Sequence, residues 1–325
     1  MAGPVGSHGV GIERADVIEA RDRISGHVRH TPVIDVGSEL GPGRVLLKLE
    51  MLQHTGSFKA RGAFNRLLHA AELGALDPAV GVVVASGGNA GLANAYAAAQ
   101  LSVPATVFVP ETAPAVKVAL LEKYGARVVL AGQEYATAYD AAQLEVATTG
   151  ALYCHAYDQP DIAAGAGTLA LEAVEQVARE LGTPVDTLVV AVGGGGLLAG
   201  VTAALAGSAR VVGVEPSGAA TLHAALEAGA PVDVPVSGVA ADSLGARRLG
   251  QIAFDVVGRH PVRSLLVTDD EIVAARRGVW ARWRLVVEHG AAAALAALTS
   301  GAYLPEPDET VVVVLCGANT DPSDL

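Results

Sequence analysis

Short apolar runs rich in β-branched residues recur along the chain: VLLKLE at 45–50, VVVA at 82–85, ATVFV at 105–109, VVL at 128–130, TLVVAV at 187–192, VVGV at 211–214 and VVVVL at 311–315. Runs this short, apolar on both sides of the strand, predict parallel strands covered on both faces. Between them lie Ala- and Leu-rich stretches of helical period, such as GLANAYAAAQ (91–100) and TLALEAVEQVARELG (168–182). Strand alternating with helix predicts βα units and an α/β fold with mostly parallel sheets.

Two of the predicted strands run directly into glycine loops, SGGNAG (86–91) and GGGG (193–196), one in each half of the chain. In open α/β sheets, ligands bind beyond the carboxyl ends of strands. Both loops are therefore expected to face one cleft between two α/β lobes. No solenoid-period repeat or long linker interrupts this pattern.

Composition narrows the class. Of 325 residues, 51% are hydrophobic, only 4% aromatic, and 38 are glycine, which suits a close-packed α/β enzyme. The formal charge of -12, with no basic cluster, argues against a nucleic-acid partner, whose binding rests on neutralising phosphates. Cys154 and Cys316 are the only cysteines, so no disulfide framework is expected and a reducing compartment is. The opening MAGPVGSHGVGIERAD has neither a basic leader nor an apolar core, and the apolar runs are broken by Gly, Pro or charge. Neither a signal peptide nor a membrane span is expected, and the anticipated location is cytoplasmic.

The candidate chemistry begins at Gly193, Gly194, Gly195 and Gly196. Consecutive glycines between a strand and a helix leave backbone N–H groups unobstructed at the helix's positive end, which makes a phosphate cradle. A tight turn alone would need one or two glycines. The loop is neither GxGxxG nor GxxxxGK[ST], which weakens dinucleotide and ATP readings. Lys59, in QHTGSFKARGAF (53–64), opens a predicted amphipathic helix behind the apolar Phe58. A helix N-terminus disfavours an ammonium, and a lysine held neutral is what Schiff-base chemistry uses. The plain alternative is a surface lysine near a helix start. Lysine and cradle together point to pyridoxal phosphate.

GSFKARGA, SGGNAG, VGGGGLLAG and CGAN stand in the order and spacing of the type II, tryptophan-synthase-β-like pyridoxal-phosphate enzymes. The chain most resembles their serine/threonine dehydratases, a group that includes serine racemase, from about residue 14 to 320. The resemblance implies two three-layer α/β/α lobes with the cofactor in the cleft between them. We assign residues 1–72 and 153–325 to a large cofactor-binding domain and 73–152 to a small one. By the same resemblance Lys59 is the Schiff-base lysine and carries the substrate's α-proton, while Phe58 packs on the cofactor ring. Asn89 hydrogen-bonds the ring hydroxyl, and Gly193–Gly196 with Leu197 hold the phosphate. Ser86, Gly87, Gly88, Asn89 and Ala90 hold the substrate carboxylate, and Cys316 stands beside the pyridine nitrogen. A homodimer is implied. A thiol, with an ordinary pKa of about 8.5, does not protonate that nitrogen as an aspartate would, which favours loss of the β-hydroxyl over racemisation.

Two departures narrow the reading further. Racemase-type relatives carry a serine where this chain has Gly87, so the second acid/base on the opposite face is missing. Metal-binding relatives carry two carboxylates where this chain keeps Glu215 and the Ala219 carbonyl but has Thr221. That set fits a divalent ion poorly, and K⁺ is the expectation by resemblance. Tyr157 is expected near the cofactor, with His155 and His54 supporting the structure and Trp280 and Trp283 forming a helix face. The leading function is β-elimination of L-serine or L-threonine to a 2-oxo acid and ammonia, without isoleucine feedback. The alternatives are a racemase, a lyase on another 3-hydroxy amino acid, a non-enzymatic metabolite-binding relative, or a nucleotide-binding enzyme.

Overall fold

A computed structural model describes residues 11–325. The first ten residues, and with them most of the stretch read for a leader, lie outside the described residues. Among the described residues ten strands form two sheets: β1 (Val33–Gly37), β2 (Arg44–Lys48), β3 (Val82–Ala85), β4 (Ala105–Val109), β5 (Arg127–Leu130), β6 (Leu152–Cys154), β7 (Thr187–Ala191), β8 (Arg210–Pro216), β9 (Arg263–Val267) and β10 (Thr310–Val314). The larger sheet has the order β1-β2-β10-β7-β8-β9 and the smaller β5-β4-β3-β6. Every pairing is parallel except β1 with β2. The mostly parallel two-lobed α/β fold expected from the apolar runs is the fold observed.

Alternation within the smaller sheet shows why its central strands β3 and β4 are so apolar. Val82, Val84, Val107 and Val109 enter one core cluster, with Phe64 and Leu92. Val83, Ala85 and Phe108 enter another, with Ala138 and Ala142 of the helix Tyr135–Thr149. Side chains alternate across a strand, so helices must cover both faces, giving three layers. In the larger sheet all five residues of β7 and of β10 are buried.

One helix, Pro160–Leu181, brings the chemistry-bearing segments together. Proline at its first turn sets the entry, where a missing N–H costs nothing. A Cβ on Gly165 would stand 2.6 Å from the Arg61 carbonyl, and one on Gly167 would stand 2.3 Å from the Gly200 carbonyl. Backbone-to-backbone approach at these two crossings seats the helix Lys59–Glu72 and the helix Gly196–Leu205 on the same support. Larger side chains at either position would push the lysine helix and the glycine-loop helix away from it.

Candidate active site

Lys59 is the first residue of its helix, after the Phe58 cap. Its Nζ donates to the Ala156 carbonyl at 2.8 Å and lies 4.9 Å from the centre of the Phe58 ring. Burial lowers its pKa to about 8, against the opposing influence of Cys316 and Glu288. The helix dipole is what a reading of the chain offers as the reason for a neutral amine; the larger cause in the fold is desolvation.

The segment after β10 locks the lysine loop in place. The Phe58 N–H donates to the Cys316 carbonyl at 3.0 Å, and the Ala318 N–H to the Gly56 carbonyl at 2.9 Å. Cys316 is buried, and burial pushes its thiol well above the ordinary range, so it stays protonated. The buried hydroxyls of Thr55 and Ser57 have no hydrogen-bond partner among the described residues.

The glycine loop follows β7. Its carbonyls are taken: Thr221 Oγ1 donates to Gly193 at 2.5 Å and the Gly250 N–H to Gly194 at 3.0 Å. Its N–H groups stand at the start of a helix, where no intrahelical acceptor exists. Gly195 has φ of +88°, and a Cβ on Gly194 would lie 2.5 Å from the Tyr157 ring. Phe58, Lys59, Tyr157, Gly196 and Leu197 line one small cavity.

The Ser86–Ala90 loop joins β3 to the helix Asn89–Gln100. Its Gly88 N–H donates to Ser86 Oγ at 3.3 Å, and a Cβ on Gly87 would approach Val109 to 3.2 Å. Asn89 Nδ2 donates to both carboxylate oxygens of Glu288, at 2.8 and 3.1 Å. Glu288 received no role from the sequence. It reaches Asn89 from 199 positions away, a separation that local pattern does not reveal.

Burial pushes Glu288 up to about 7; the bond from Asn89 pulls the other way, and Asp242 adds to the rise. The folded protein thus binds a proton that the unfolded chain, at 4.5, has already released. This contribution to stability is full in acid and lost as pH rises through about 7. Glu288→Gln is expected to gain stability over the wild-type apo protein between pH 5 and 8, by on the order of 3 kcal/mol. Urea unfolding at both pH values measures it, and a pH-independent difference would show that Glu288 does not titrate there. Glu215, also pushed by burial to about 7, contributes equally to both proteins and cancels.

Glu215 and Thr221 do meet. The carboxylate accepts from the Leu222 and His223 N–H groups at 2.6 and 2.9 Å and lies 3.2 Å from Thr221 Oγ1, whose one proton goes to Gly193; Ala219 is buried. Glu215 serves as a helix cap, and no cluster of three metal-ligating acids, cysteines or histidines occurs among the described residues. His155 Nδ1 accepts from the Tyr157 and Asp158 N–H groups, and His54 stacks on Tyr96 at 4.8 Å, both structural contacts. Trp280 and Trp283 lie on the helix Asp269–Trp283.

A buried amine of lowered pKa, a glycine cradle with no room for side chains and unpartnered hydroxyls beside the lysine fit a phosphorylated aldehyde cofactor. The family model described as "Pyridoxal-phosphate dependent enzyme" matches residues 24–317. A phenylserine dehydratase of Ralstonia pickettii is 40% identical over 93% of this chain and 91% of its own length. An L-threonine ammonia-lyase of Geobacter sulfurreducens is 37% identical over 93% and 74%. A solved threonine deaminase, from T.th., superposes with a TM-score of 0.86 at 36% identity, covering 96% of this chain and 100% of that one. The serine racemase of Dictyostelium discoideum gives 0.86 at 32%, covering 95% and 99%. Motifs, fold and relatives agree, and the chain belongs to the pyridoxal-phosphate-dependent enzymes of fold type II.

Proposed function

We propose that the protein is a dehydratase (ammonia-lyase) that converts L-serine, L-threonine or a related 3-hydroxy amino acid to a 2-oxo acid and ammonia. The observation that carries this is Lys59, an amine whose pKa burial lowers to about 8, near the protonated thiol of Cys316 and the Glu288 carboxyl. Bound pyridoxal phosphate supplies an electrophilic carbonyl and an electron sink. In this reading Lys59 holds the cofactor and then takes the substrate's α-proton, and Gly193–Gly196 with Leu197 cradle the phosphate. Phe58 covers one ring face and Asn89 meets the ring hydroxyl. The Ser86–Ala90 N–H groups, opening a helix, hold the carboxylate. Cys316, kept protonated by burial, leaves the pyridine nitrogen without an acid partner and so restrains the sink, which favours expelling the β-hydroxyl.

Support comes from relatives named for threonine, serine and phenylserine elimination. A racemase fits the fold as well, but Gly87 supplies no hydroxyl for reprotonation from the far face. The side-chain specificity extends to bulkier 3-hydroxy amino acids in this proposal, by likeness to the phenylserine dehydratase. Serine, threonine and phenylserine, each as separate enantiomers, are assayed for ammonia, 2-oxo acid and change of chirality. Ammonia with 2-oxo acid from the L-series is expected; interconversion of D- and L-serine without 2-oxo acid would replace the dehydratase reading by the racemase.

The same proposal divides the chain at 1–72 with 153–325 and 73–152, and includes a cytoplasmic homodimer. It also includes a K⁺ ion held by Glu215, Ala219 and Thr221. The 3.2 Å approach of Thr221 Oγ1 to the Glu215 carboxylate, which brings two oxygens of that set together, supports the last. Among the described residues no helix is long and apolar enough to cross a membrane.

A further inference from the structure

We propose that Asn319 is a positioning residue that fixes which way round the Asn89 amide faces the cofactor, with Glu288 as the second anchor. The inference rests on the reading of Asn89 as the partner of the cofactor's ring hydroxyl. CGAN was legible as a motif, but no local pattern assigned its asparagine a task.

Asn319 Nδ2 directs its two protons to two acceptors, the Thr55 carbonyl at 2.7 Å and Asn89 Oδ1 at 2.7 Å. Asn89 Nδ2 in turn donates to Glu288. The amide of Asn89 is therefore held at both ends by groups of opposite demand. A 180° flip would set Asn89 Nδ2 against Asn319 Nδ2, donor to donor, and, above about pH 7 where Glu288 is ionised, Oδ1 against the Glu288 carboxylate, acceptor to acceptor. An amide has two N–H protons; with one given to Glu288, one remains, and its position is settled by Asn319. The anchor itself is firm. Thr55 carries its carbonyl at φ of +61°, and Gly56 passes so close to Asn319 that a Cβ there would lie 2.8 Å from Oδ1. Asn319 thus ties the orientation of a small-lobe residue to the loop that ends in Lys59.

Apo proteins carrying Asn319→Leu and Asn319→Asp test this. Pyridoxal phosphate is titrated into each, following the near-visible band of the lysine-bound cofactor, and the apo thermal midpoints are recorded. Both substitutions lose the bond to the Thr55 carbonyl, so a purely structural Asn319 gives two equal affinities and two lowered midpoints. Positioning gives a graded result. Leucine leaves Glu288 as the sole anchor, for a loss of a few-fold. Aspartate offers Asn89 an acceptor and turns the amide, for a loss of about tenfold or more, the worth of a hydrogen bond. Equal affinities in the two variants, or affinities like the wild type, would overturn the inference.

If the aspartate variant does not fold, Asn319→Leu is combined with Glu288→Gln, whose amide accepts either orientation. The double variant must then lose more than the product of the two single losses; a simple product overturns the proposal. A wild-type band that is missing, or that survives Lys59→Ala, would instead remove the reading on which the inference rests.

Discussion

Lys59→Ala is expected to abolish the near-visible absorbance with pyridoxal phosphate and to lower ammonia release by at least about 10³-fold, because one side chain supplies both the covalent hold and the proton transfer. The same change is expected to stabilise the apo protein. Lys59 binds its proton less tightly in the fold, with a pKa of about 8 against 10.5, because burial disfavours the ammonium. The unfolded chain then holds more protons between those values, and stability rises with pH across them. Below pH 8 the wild type carries the full cost, on the order of 3 kcal/mol. Alanine removes that cost and is a good helix former where Lys59 stands. The variant should therefore unfold at higher urea than the wild type at pH 7, with the gap closing towards pH 10. Borohydride trapping followed by peptide mapping separates the two roles. Retained ammonia release would remove Lys59 from the chemistry, and a gap independent of pH would remove burial as the cause of its reactivity.

The parts of this structure that could be read in advance are those whose signal is local. Val82–Ala85 and Ala105–Val109 are bounded as the apolar runs mark them, because a strand covered on both faces must be apolar throughout. β1, β6 and β9 were not anticipated. β1 is broken by an outward Asp35, β6 is only three residues long, and β9 is an edge strand with Leu266 partly exposed. The helix Pro160–Leu181 begins eight residues before its amphipathic pattern at 168, since its first turns bury Gly and Ala against other backbones and show no polar face. At the site, Lys59 and the glycines announce themselves by an unusual residue in an unusual place. Glu288 and Asn319 do not, for their function is to hold another side chain from a distant segment. Such a residue looks ordinary until its partner is known.

Arg61, two residues past Lys59, shows how much of the site depends on interactions of that second kind, and Arg61→Ala is expected to destabilise the protein by about 3–5 kcal/mol. Arg61 is 1% exposed, and its guanidinium donates to Glu50 through Nε and Nη2, at 2.8 and 2.7 Å, and to Glu172 through Nη2 at 2.9 Å. Lys48, also buried, pairs with Glu172 and donates to Gln176 at 2.8 Å and to the Thr31 carbonyl at 2.7 Å. Two cations and two carboxylates balance inside the core, so removing one strands a carboxylate without water. Although burial raises the Glu172 carboxyl, Arg61 and Lys48 outweigh it and hold the pKa below its ordinary value. That stability is present at neutral pH and is lost as pH falls through the lowered pKa. The deficit of Arg61→Ala relative to the wild type should consequently be largest at pH 7–8 and shrink in acid. Replacing Arg61 also frees the first turn of the lysine helix from Glu50, in the turn after β2, and from Glu172 of the helix Pro160–Leu181, so cofactor affinity should fall with stability. Urea unfolding at pH 4 and 8, the lower value lying below the 4.5 of the unfolded carboxyl, measures the stability, and a pyridoxal-phosphate titration at pH 8 measures the affinity. A loss under 1 kcal/mol would mean that water reaches this cluster and that the lysine helix is held by the Gly62 and Gly165 crossing alone.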